Sequence, residues 1–563
     1  MKLPSPNAKT GRNCPEDVLD EFRTLAARRK RIKITSHAMV VAVLIPLIGL
    51  LSVYASPQPT HIAREDVLSG KLGTIDFPTS CAQGVRNDLN RAVALLHSFW
   101  HNEAFAAFEK VASSDPNCAI AYWGEAMTHF HQLLASPTVA DIQEGAAELR
   151  KADQATEKGP REAAYVQALH RFFDGYSTDR YLEHAISYTD EMAIVANSYR
   201  NDTEAQVFYA LALLASQPPD DLQLTNPRKA FAILEPLFRE HPNHPGIAHY
   251  IIHACDNPQM AADGLNAARR YAEIAPQVPH ALHMPAHVFA RVGLWQDDIQ
   301  SNLASKAAAE GVGLHRGAEN RLHAMEFLEY AYLQTGRFDQ AREIVTEART
   351  VQPSDVNPRY PDMWASVEAR SPALLAIETK DWPMAEHLKP VPGGTNQEII
   401  LLAHAEGAAY MHNRTLASET LKQLEQLTPA KSQSTHSALE AEIRAWAELA
   451  LGKLDVSIAL LESVAERQAK TGKSEVEIPA REMLADMLLL EGRYSKALTQ
   501  YQDSLQTDPN RFNGLFGAGQ AAAQAGRSDL AAKYYRMLLA NCPQPEGGAI
   551  EKLHEASAWS SSK

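Results

Sequence analysis

Two pairs of histidines in the middle of the sequence could bind a metal ion. His249 and His253 lie four residues apart in HYIIH, and His283 and His287 lie four residues apart in HALHMPAH. Four residues make about one helical turn, so each pair places two imidazoles on one face of a helix. Neutral imidazole is a ligand for copper, zinc and nickel. The pattern predicts that these four histidines converge on one divalent transition metal ion.

Other residues that could complete such a site lie nearby. His280 begins the second motif, Asp256 follows the first, and His323 and Glu326 come later in the chain. We expect each of them to act as an additional ligand or as a hydrogen-bond partner of a ligand. Pro285 separates the histidines of the second pair, and a proline inside a helix removes a backbone hydrogen bond. Such a broken local rule is typical of a functional site.

Two other interpretations of the histidine patch remain open. In the first, the histidines are merely polar side chains on a solvated surface. In the second, they bind an acidic or carboxylate-bearing peptide together with Arg291, and Tyr330 borders the same surface. Protonation of histidine in mildly acidic surroundings would then tune the affinity. Five histidines fall within 39 residues, out of 22 in the chain, and this density favours the metal site.

The sequence lacks the motifs of familiar catalytic sites. HYIIH has no glutamate in the place that HExxH metalloproteases require, and HAE at 404–406 is not followed by PCxxC. There is neither a GxSxG elbow nor a GxxxxGKS phosphate loop. No enzyme class is therefore predicted. The alternative to a binding protein is a metalloenzyme that uses the same histidines, and it would need an open coordination position and a substrate cavity.

The histidine pairs are separated by 34 residues, and this interval recurs elsewhere in the chain. Four features repeat at that spacing near the C-terminus, namely Gly492 and Gly526, Ala497 and Ala531, Tyr501 and Tyr535, and Pro509 and Pro543. The pattern resembles the tetratricopeptide repeat, a unit of two antiparallel helices. The resemblance implies an all-α, right-handed superhelical solenoid over residues 85–545, with a concave groove for a protein or peptide partner. It also places the histidines on the groove.

A longer similarity covers the histidine region itself. HYIIHACD followed by PHALHMPAHVFARVG resembles exported bacterial tetratricopeptide proteins. This resemblance implies a location in the bacterial cell envelope and implies no chemistry.

The N-terminal segment predicts export. RRKRIK precedes residues 38–55, which carry no charge, and eighteen residues of helix span about 27 Å. We expect a signal-anchor in the inner membrane, with residues 1–37 in the cytoplasm, a linker over 56–84, the solenoid in the periplasm and a C-terminal tail over 546–563. The alternative is a signal peptide that is cleaved after Ala55, which would release the protein into the periplasm.

The charge distribution argues against nucleic acid as a partner. The chain carries a net charge of −14, but residues 1–37 contain nine Lys and Arg against four Asp and Glu. The rest of the chain is therefore near −19. A strongly acidic protein repels the phosphate backbone of nucleic acid.

An oxidising compartment would allow cysteines to pair. Cys81 and Cys118 each precede a predicted helix of two consecutive repeats, so we expect them to form a disulfide. The alternative is two small buried thiols.

Overall fold

The computed structural model describes residues 70–561, apart from 134–135, 157, 220, 358–359, 361, 392–396, 428–436 and 475. The described residues form helices joined by short connections and contain no β-strand, only an isolated bridge between Arg337 and Glu546. None of the described helices is both long and apolar enough to span a bilayer. The predicted membrane segment, residues 38–55, lies outside the described residues.

The helices follow one another along the whole described chain. The first eight are α1 (Arg86–His97), α2 (His101–Ser114), α3 (Ala119–Met127), α4 (Val139–Gln154), α5 (Pro160–Phe173), α6 (Tyr181–Ser198), α7 (Thr203–Ala215) and α8 (Thr225–Glu240). The next seven are α9 (Pro245–Cys255), α10 (Leu265–Ile274), α11 (Pro279–His283), α12 (Pro285–Arg291), α13 (Trp295–Gly311), α14 (Leu314–Gln334) and α15 (Phe338–Ala348). The last eleven are α16 (Met363–Thr379), α17 (Trp382–His387), α18 (Gln397–Tyr410), α19 (Arg414–Leu427), α20 (Ala438–Ala450), α21 (Leu454–Thr471), α22 (Ala480–Leu490), α23 (Tyr494–Thr507), α24 (Phe512–Gln524), α25 (Ser528–Asn541) and α26 (Ala549–Ser561).

Each helix packs mainly against the helices next to it in the chain. The repeated glycines Gly492 and Gly526 end α22 and α24 with φ of 70° and 72°, a backbone conformation that favours glycine. The repeated alanines and tyrosines of the following helices, α23 and α25, are fully buried. The buried apolar residues form two large clusters, one over residues 72–312 and one over residues 286–556. Neighbouring helix pairs thus bury their apolar faces against each other, as repeat proteins require. The prediction of an all-α solenoid is confirmed.

Part of the predicted linker is packed against the solenoid. Leu72, Ile75 and Phe77 are buried, and Phe77 contacts the rings of Trp123 and Tyr165. The backbone N–H of Phe77 donates to the side chain of Asn90 at 3.0 Å. Residues 70–84 of the predicted linker are therefore anchored to the first repeats by three apolar side chains.

The C-terminal end is also structured. The predicted tail over 546–563 contains α26, whose Ala549, Leu553 and Ala556 are buried against the rest of the core. The apolar residues recur at three to four positions, which is the spacing of one helical face. Most of the predicted C-terminal tail is therefore a helix that packs against the last repeat.

The C-terminal repeats pack back onto the middle of the chain. The indole N–H of Trp295 donates to the carbonyl of Asn510 at 2.8 Å, and the backbone N–H of Phe512 donates to the Gln334 side chain at 3.0 Å. These partners lie 215 and 178 positions apart in the sequence. The superhelix therefore turns tightly enough for its last repeats to meet α13 and α14.

A buried arginine joins these two parts of the superhelix. The Arg511 guanidinium, 1% exposed, donates to Glu378 at 2.7 Å and to Glu482 at 2.7 and 2.8 Å. It also donates to the hydroxyl of Tyr330. Burial raises the pKa of Glu482, and the nearby arginine opposes that rise. The two carboxylates lie on α16 and α22, so Arg511 connects three helices and the start of α24.

Candidate metal centre

Four helices carry the predicted metal ligands. His249 and His253 lie on α9, His280 and His283 lie on α11, and α12 carries His287. His323 lies on α14. The structure thus brings all six imidazoles to one side of the solenoid.

The sequence suggested that Pro285 lies inside a helix, but the structure places it at the start of one. It is the first residue of α12, and Met284 before it keeps helical angles of −51° and −34°. The first residue of a helix has no intrahelical partner for its N–H, so proline is well tolerated there. The consequence is a junction between α11 and α12 in the middle of the HALHMPAH motif.

The six histidines divide between two clusters. Cluster 1 consists of His249, His253 and His280, and cluster 2 consists of His283, His287 and His323. Within each cluster one nitrogen from every imidazole lies within 4.8 Å of the others. The prediction that the four paired histidines converge on one point is therefore corrected, because each pair meets a third histidine of the following unit instead.

Each cluster combines a pair of histidines four residues apart with one histidine from farther along the chain, His280 for cluster 1 and His323 for cluster 2. His280 lies in the first turn of α11, whereas His323 lies near the middle of α14. His280 and His323 were predicted as additional ligands, and the structure places one of them in each cluster.

Cluster 1 is mostly buried. The Nε2 atom of His249 lies 3.1 Å from Nε2 of His253 and 3.1 Å from Nε2 of His280. Its Nδ1 donates to the carbonyl of His97 at 2.6 Å. His249 is fully buried, in contact with the rings of Phe99 and Tyr271. The sequence places His249 on an open groove, whereas in the structure the residues after α1 cover it.

Burial favours the neutral imidazole of His249 and of His280. Burial, followed by repulsion from neighbouring histidines, holds the pKa of His249 and that of His280 well below the usual value. A neutral imidazole has a free lone pair and is the form that binds a metal ion.

Cluster 2 is held by two hydrogen-bond acceptors. His283 Nδ1 lies 2.7 Å from the side-chain oxygen of Asn302, and His287 Nδ1 lies 2.9 Å from a carboxylate oxygen of Asp256. The Asn302 amide nitrogen donates to Asp298, which fixes the amide oxygen toward His283. Asp256 thus is a hydrogen-bond partner of His287, a ligand candidate, and this is one of the two roles predicted for it.

The Nε2 atoms of His283 and His287 face each other in cluster 2. Asn302 and Asp256 both present acceptors, so the Nδ1 atom of each ring is the donor in these two hydrogen bonds. The two Nε2 atoms lie 3.0 Å apart, a distance at which a shared proton or one metal ion can join them. A tetrahedral zinc ion would hold its nitrogen ligands about 3.3 Å apart.

His323 is the most exposed ligand candidate in cluster 2, with 37% of its side chain accessible. Its ring lies 4.4 Å from that of His283, centroid to centroid. Glu326 approaches His323 Nδ1 at 3.5 Å and Arg370 at 3.9 Å. The structure thus places Glu326 beside a ligand candidate, consistent with a supporting role.

The residues predicted to contact a partner are buried instead. Arg291 is 9% exposed and donates to Asp256 at 3.0 Å. Tyr330 is 1% exposed, and its hydroxyl donates to the carbonyl of Glu477 at 2.9 Å. The prediction that Arg291 and Tyr330 line an open groove is wrong, because the C-terminal repeats pack over this part of the concave surface.

The remaining concave surface forms a cavity of about 370 Å³ beside the clusters. His253 and His280 line it from cluster 1, and His287 and His323 line it from cluster 2. We call this space the histidine cavity. Its other walls contain apolar side chains together with a few polar ones, among them Phe99, Trp100, Met284, Glu319 and Asn320. Both clusters therefore open on one space large enough for a small molecule.

Three residues at the histidine cavity have an unusual backbone. Phe99, His131 and Leu133 have φ of 52°, 50° and 66° and line the cavity. Residues other than glycine rarely adopt such angles, and they often do so at functional sites. No sequence pattern indicates this feature, because none of the three is a glycine or an asparagine.

A separate buried group of two histidines and one glutamate supports cluster 1. Glu204 is buried and accepts from His97 Nε2 at 2.8 Å and from His244 Nε2 at 3.0 Å. His97 also supplies the carbonyl that fixes His249. Sequence reasoning missed these residues, since they lie on α1, on α7 and before α9, far apart in the chain.

The two cysteines predicted to pair are bonded in the structure. Cys81 and Cys118 form a disulfide with a Cα separation of 4.9 Å. Cys255 and Cys542 are buried free thiols, and burial raises the pKa of each to about 12. Such thiols are unreactive at neutral pH.

Solved structures provide a distant comparison. The human IFIT1 dimer with m7Gppp-AAAA has 13% identity over 79% of this chain and 90% of its own, with a TM-score of 0.33. The P58(IPK) TPR domain has 13% identity, coverage of 85% and 100% and a TM-score of 0.21. Yeast Tom70 has 11% identity, coverage of 84% and 95% and a TM-score of 0.30. Likeness at these scores carries no functional conclusion.

The sequence comparisons are more direct. A search of curated proteins returns no match. The family model of the tetratricopeptide repeat matches residues 444–512 and 483–544. These matches include the Gly492 and Gly526 units, and similar helix pairs continue through the described chain. Residues 444–544 therefore contain tetratricopeptide repeats, a scaffold suited to binding protein partners.

Proposed function

We propose that this protein is an exported, membrane-anchored scaffold that binds transition metal ions through clusters 1 and 2. The observation that carries the proposal is the 3.0 Å approach of Nε2 of His283 to Nε2 of His287. The opposite nitrogen of each ring is committed to an acceptor. A metal ion between the two Nε2 atoms would be bound by both imidazoles. A shared proton is the competing explanation, and metal analysis distinguishes the two.

The donor set indicates which ions suit the clusters. Each cluster offers three imidazole nitrogens, a donor set that suits copper, zinc and nickel. Copper has the highest intrinsic affinity for such donors, while the metal supply of the envelope decides which ion is bound in the cell. Three of the rings donate hydrogen bonds to Asn302, to Asp256 and to the His97 carbonyl, and these bonds orient each Nε2 toward its cluster.

Metal stoichiometry tests the proposal directly. We expect about two ions per full-length chain, with one ion lost in His249→Ala/His253→Ala and one lost in His283→Ala/His287→Ala. The protein should be purified through a tag without histidine and reconstituted with copper or zinc. The control variant His241→Ala/His554→Ala removes two exposed histidines and should keep both ions. A wild-type chain that binds no metal would contradict the proposal and return the site to recognition of a peptide.

Asp256 should tune the affinity of cluster 2 without being a ligand. We expect Asp256→Ala to weaken metal binding about 10- to 100-fold, because loss of the carboxylate releases the orientation of His287. The dissociation constant can be measured by competition with a chelator of known affinity. Asp263→Ala, which removes an exposed carboxylate seven residues away, is the matched control. Equal affinities in the two variants would argue against this role.

The exported location rests on the sequence and on the disulfide. Structural disulfides persist in oxidising compartments, and the bonded pair Cys81 and Cys118 supports a location outside the cytoplasm. A reporter that is active only in the cytoplasm, fused after Lys563, should therefore be silent. Activity of that reporter would contradict both the anchor and the cleaved signal peptide.

A metalloenzyme remains the second candidate, and the histidine cavity favours it. A structural metal site is closed by four protein ligands, whereas a catalytic site keeps a position for water or substrate. Each cluster has three histidines and faces a space of about 370 Å³. Azide should then change the visible spectrum of the copper-loaded protein. An unchanged spectrum would favour a closed binding site.

A further inference from the structure

We infer that clusters 1 and 2 form a single dinuclear centre, in which two metal ions share a small anion bound in the histidine cavity. This inference rests on the proposed function and adds to it the relation between the two ions and the chemical class of their common ligand. The alternative is two independent ions, each with its own water.

The first argument is that one short helix serves both clusters. The five-residue helix α11 contributes His280 to cluster 1 and His283 to cluster 2. The centroids of these two rings are 6.3 Å apart. A nitrogen ligand holds its ion at about 2.0–2.1 Å, so neither ion can move far from α11. The two binding positions are therefore neighbours within one site.

The second argument is that both clusters open on the same space. Two histidines of each cluster line the histidine cavity, namely His253 and His280, and His287 and His323. Three imidazoles leave at least one coordination position of each ion for another ligand. A ligand that enters the cavity is therefore accessible to both ions.

The third argument concerns charge. All six ligand candidates are imidazoles, which are neutral when they bind a metal, so they cancel none of the charge of two divalent ions. Two such ions close together repel strongly in surroundings of low dielectric constant. Asp256 lies behind His287 and Glu326 lies beside His323, so both carboxylates reduce this repulsion only from behind a ligand. An anion between the ions is the direct way to compensate it.

The cavity limits what that anion can be. Phe99, Trp100 and Met284 contribute apolar walls next to the histidines. The guanidinium of Arg316, which also lines the cavity, donates to Glu103 at 2.6 and 3.0 Å. A small anion such as hydroxide or azide can bind through the two ions alone. It therefore needs no hydrogen bond from the polar side chains of the cavity wall.

Electron paramagnetic resonance of the copper(II)-loaded full chain tests this inference. Two copper(II) ions that share a bridging anion couple their spins, so the integrated signal should fall well below that of two independent spins. Azide should alter the residual signal and the charge-transfer absorption. Metal content is measured on the same sample, which separates weak binding from spin coupling.

Single-cluster variants provide the matched controls. His253→Ala and His323→Ala each remove one cavity-facing histidine from a different cluster. With the damaged cluster vacant, each variant should bind one copper ion with the full signal of one spin. Comparing each variant with the wild type shows whether the signal missing from the wild type depends on both clusters.

Each outcome has a defined meaning. Two bound copper ions with coupled spins support the dinuclear centre. Two ions with the full signal of two spins, or dipolar broadening without loss of signal, would overturn the shared ligand and leave metal binding intact. One ion in the wild type would overturn the dinuclear centre, and no bound copper would overturn the proposed function as well.

Discussion

Replacing Arg511 by alanine is expected to lower the free energy of unfolding by about 5 kcal/mol, since it leaves two carboxylates buried without their counter-charge. The guanidinium is 1% exposed and bonds both Glu378 and Glu482. It also joins repeats that are far apart in the sequence, so its loss should weaken the contact between α14 and α24. Urea denaturation of the full chain measures the change.

Two further variants separate the effect of the buried charges from the loss of an arginine side chain as such. Arg239 forms an exposed ion pair with Glu235, and Arg239→Ala should cost far less stability than Arg511→Ala. Adding Glu378→Gln and Glu482→Gln to Arg511→Ala should recover part of the loss, because neutral amides are easier to bury than lone carboxylates. If Arg511→Ala costs no more than Arg239→Ala, the buried network does not stabilise the superhelix.

The disulfide should make the second largest contribution. We expect Cys81→Ala/Cys118→Ala to lower the stability of the first repeats by about 4 kcal/mol, because the bond closes a loop of 37 residues in the unfolded chain. Stability in repeat proteins is partly local, so the effect belongs to α1 to α3. Amide hydrogen exchange of these helices is the appropriate measurement.

A reducing agent serves as the control for the disulfide. It should destabilise the wild-type protein to the level of the double variant and leave that variant unchanged. The buried thiols Cys255 and Cys542 are unaffected by this treatment. A wild-type protein that exchanges its amides at the same rate with and without reducing agent would show that the bond contributes little.

The sequence predicts which histidines come together in pairs better than it predicts how the pairs are completed to clusters. The four-residue spacing placed His249 with His253 and His283 with His287, and the structure keeps both pairs together. Which histidine completes each cluster depends on the displacement between successive helices. That displacement is set by side-chain packing between repeats, and the sequence spacing does not record it.

The supporting contacts could not be predicted from the sequence at all. Asn302 fixes His283 from α13, and the His97 carbonyl fixes His249 from the end of α1. The second contact joins residues 152 positions apart. Neither belongs to a motif, because an asparagine side chain and a backbone carbonyl are common hydrogen-bond partners anywhere in a protein.

The sequence by itself determined the local structure, because helix pairs and their repeat interval follow from the spacing of apolar, small and aromatic residues along the chain. Only the tertiary structure decided which concave positions stay accessible. The tight superhelical turn brings the last repeats onto α13 and α14, which buries Arg291 and Tyr330 and leaves the histidine cavity accessible. The path of the superhelix accumulates small rotations over many interfaces, so no single segment of sequence encodes it.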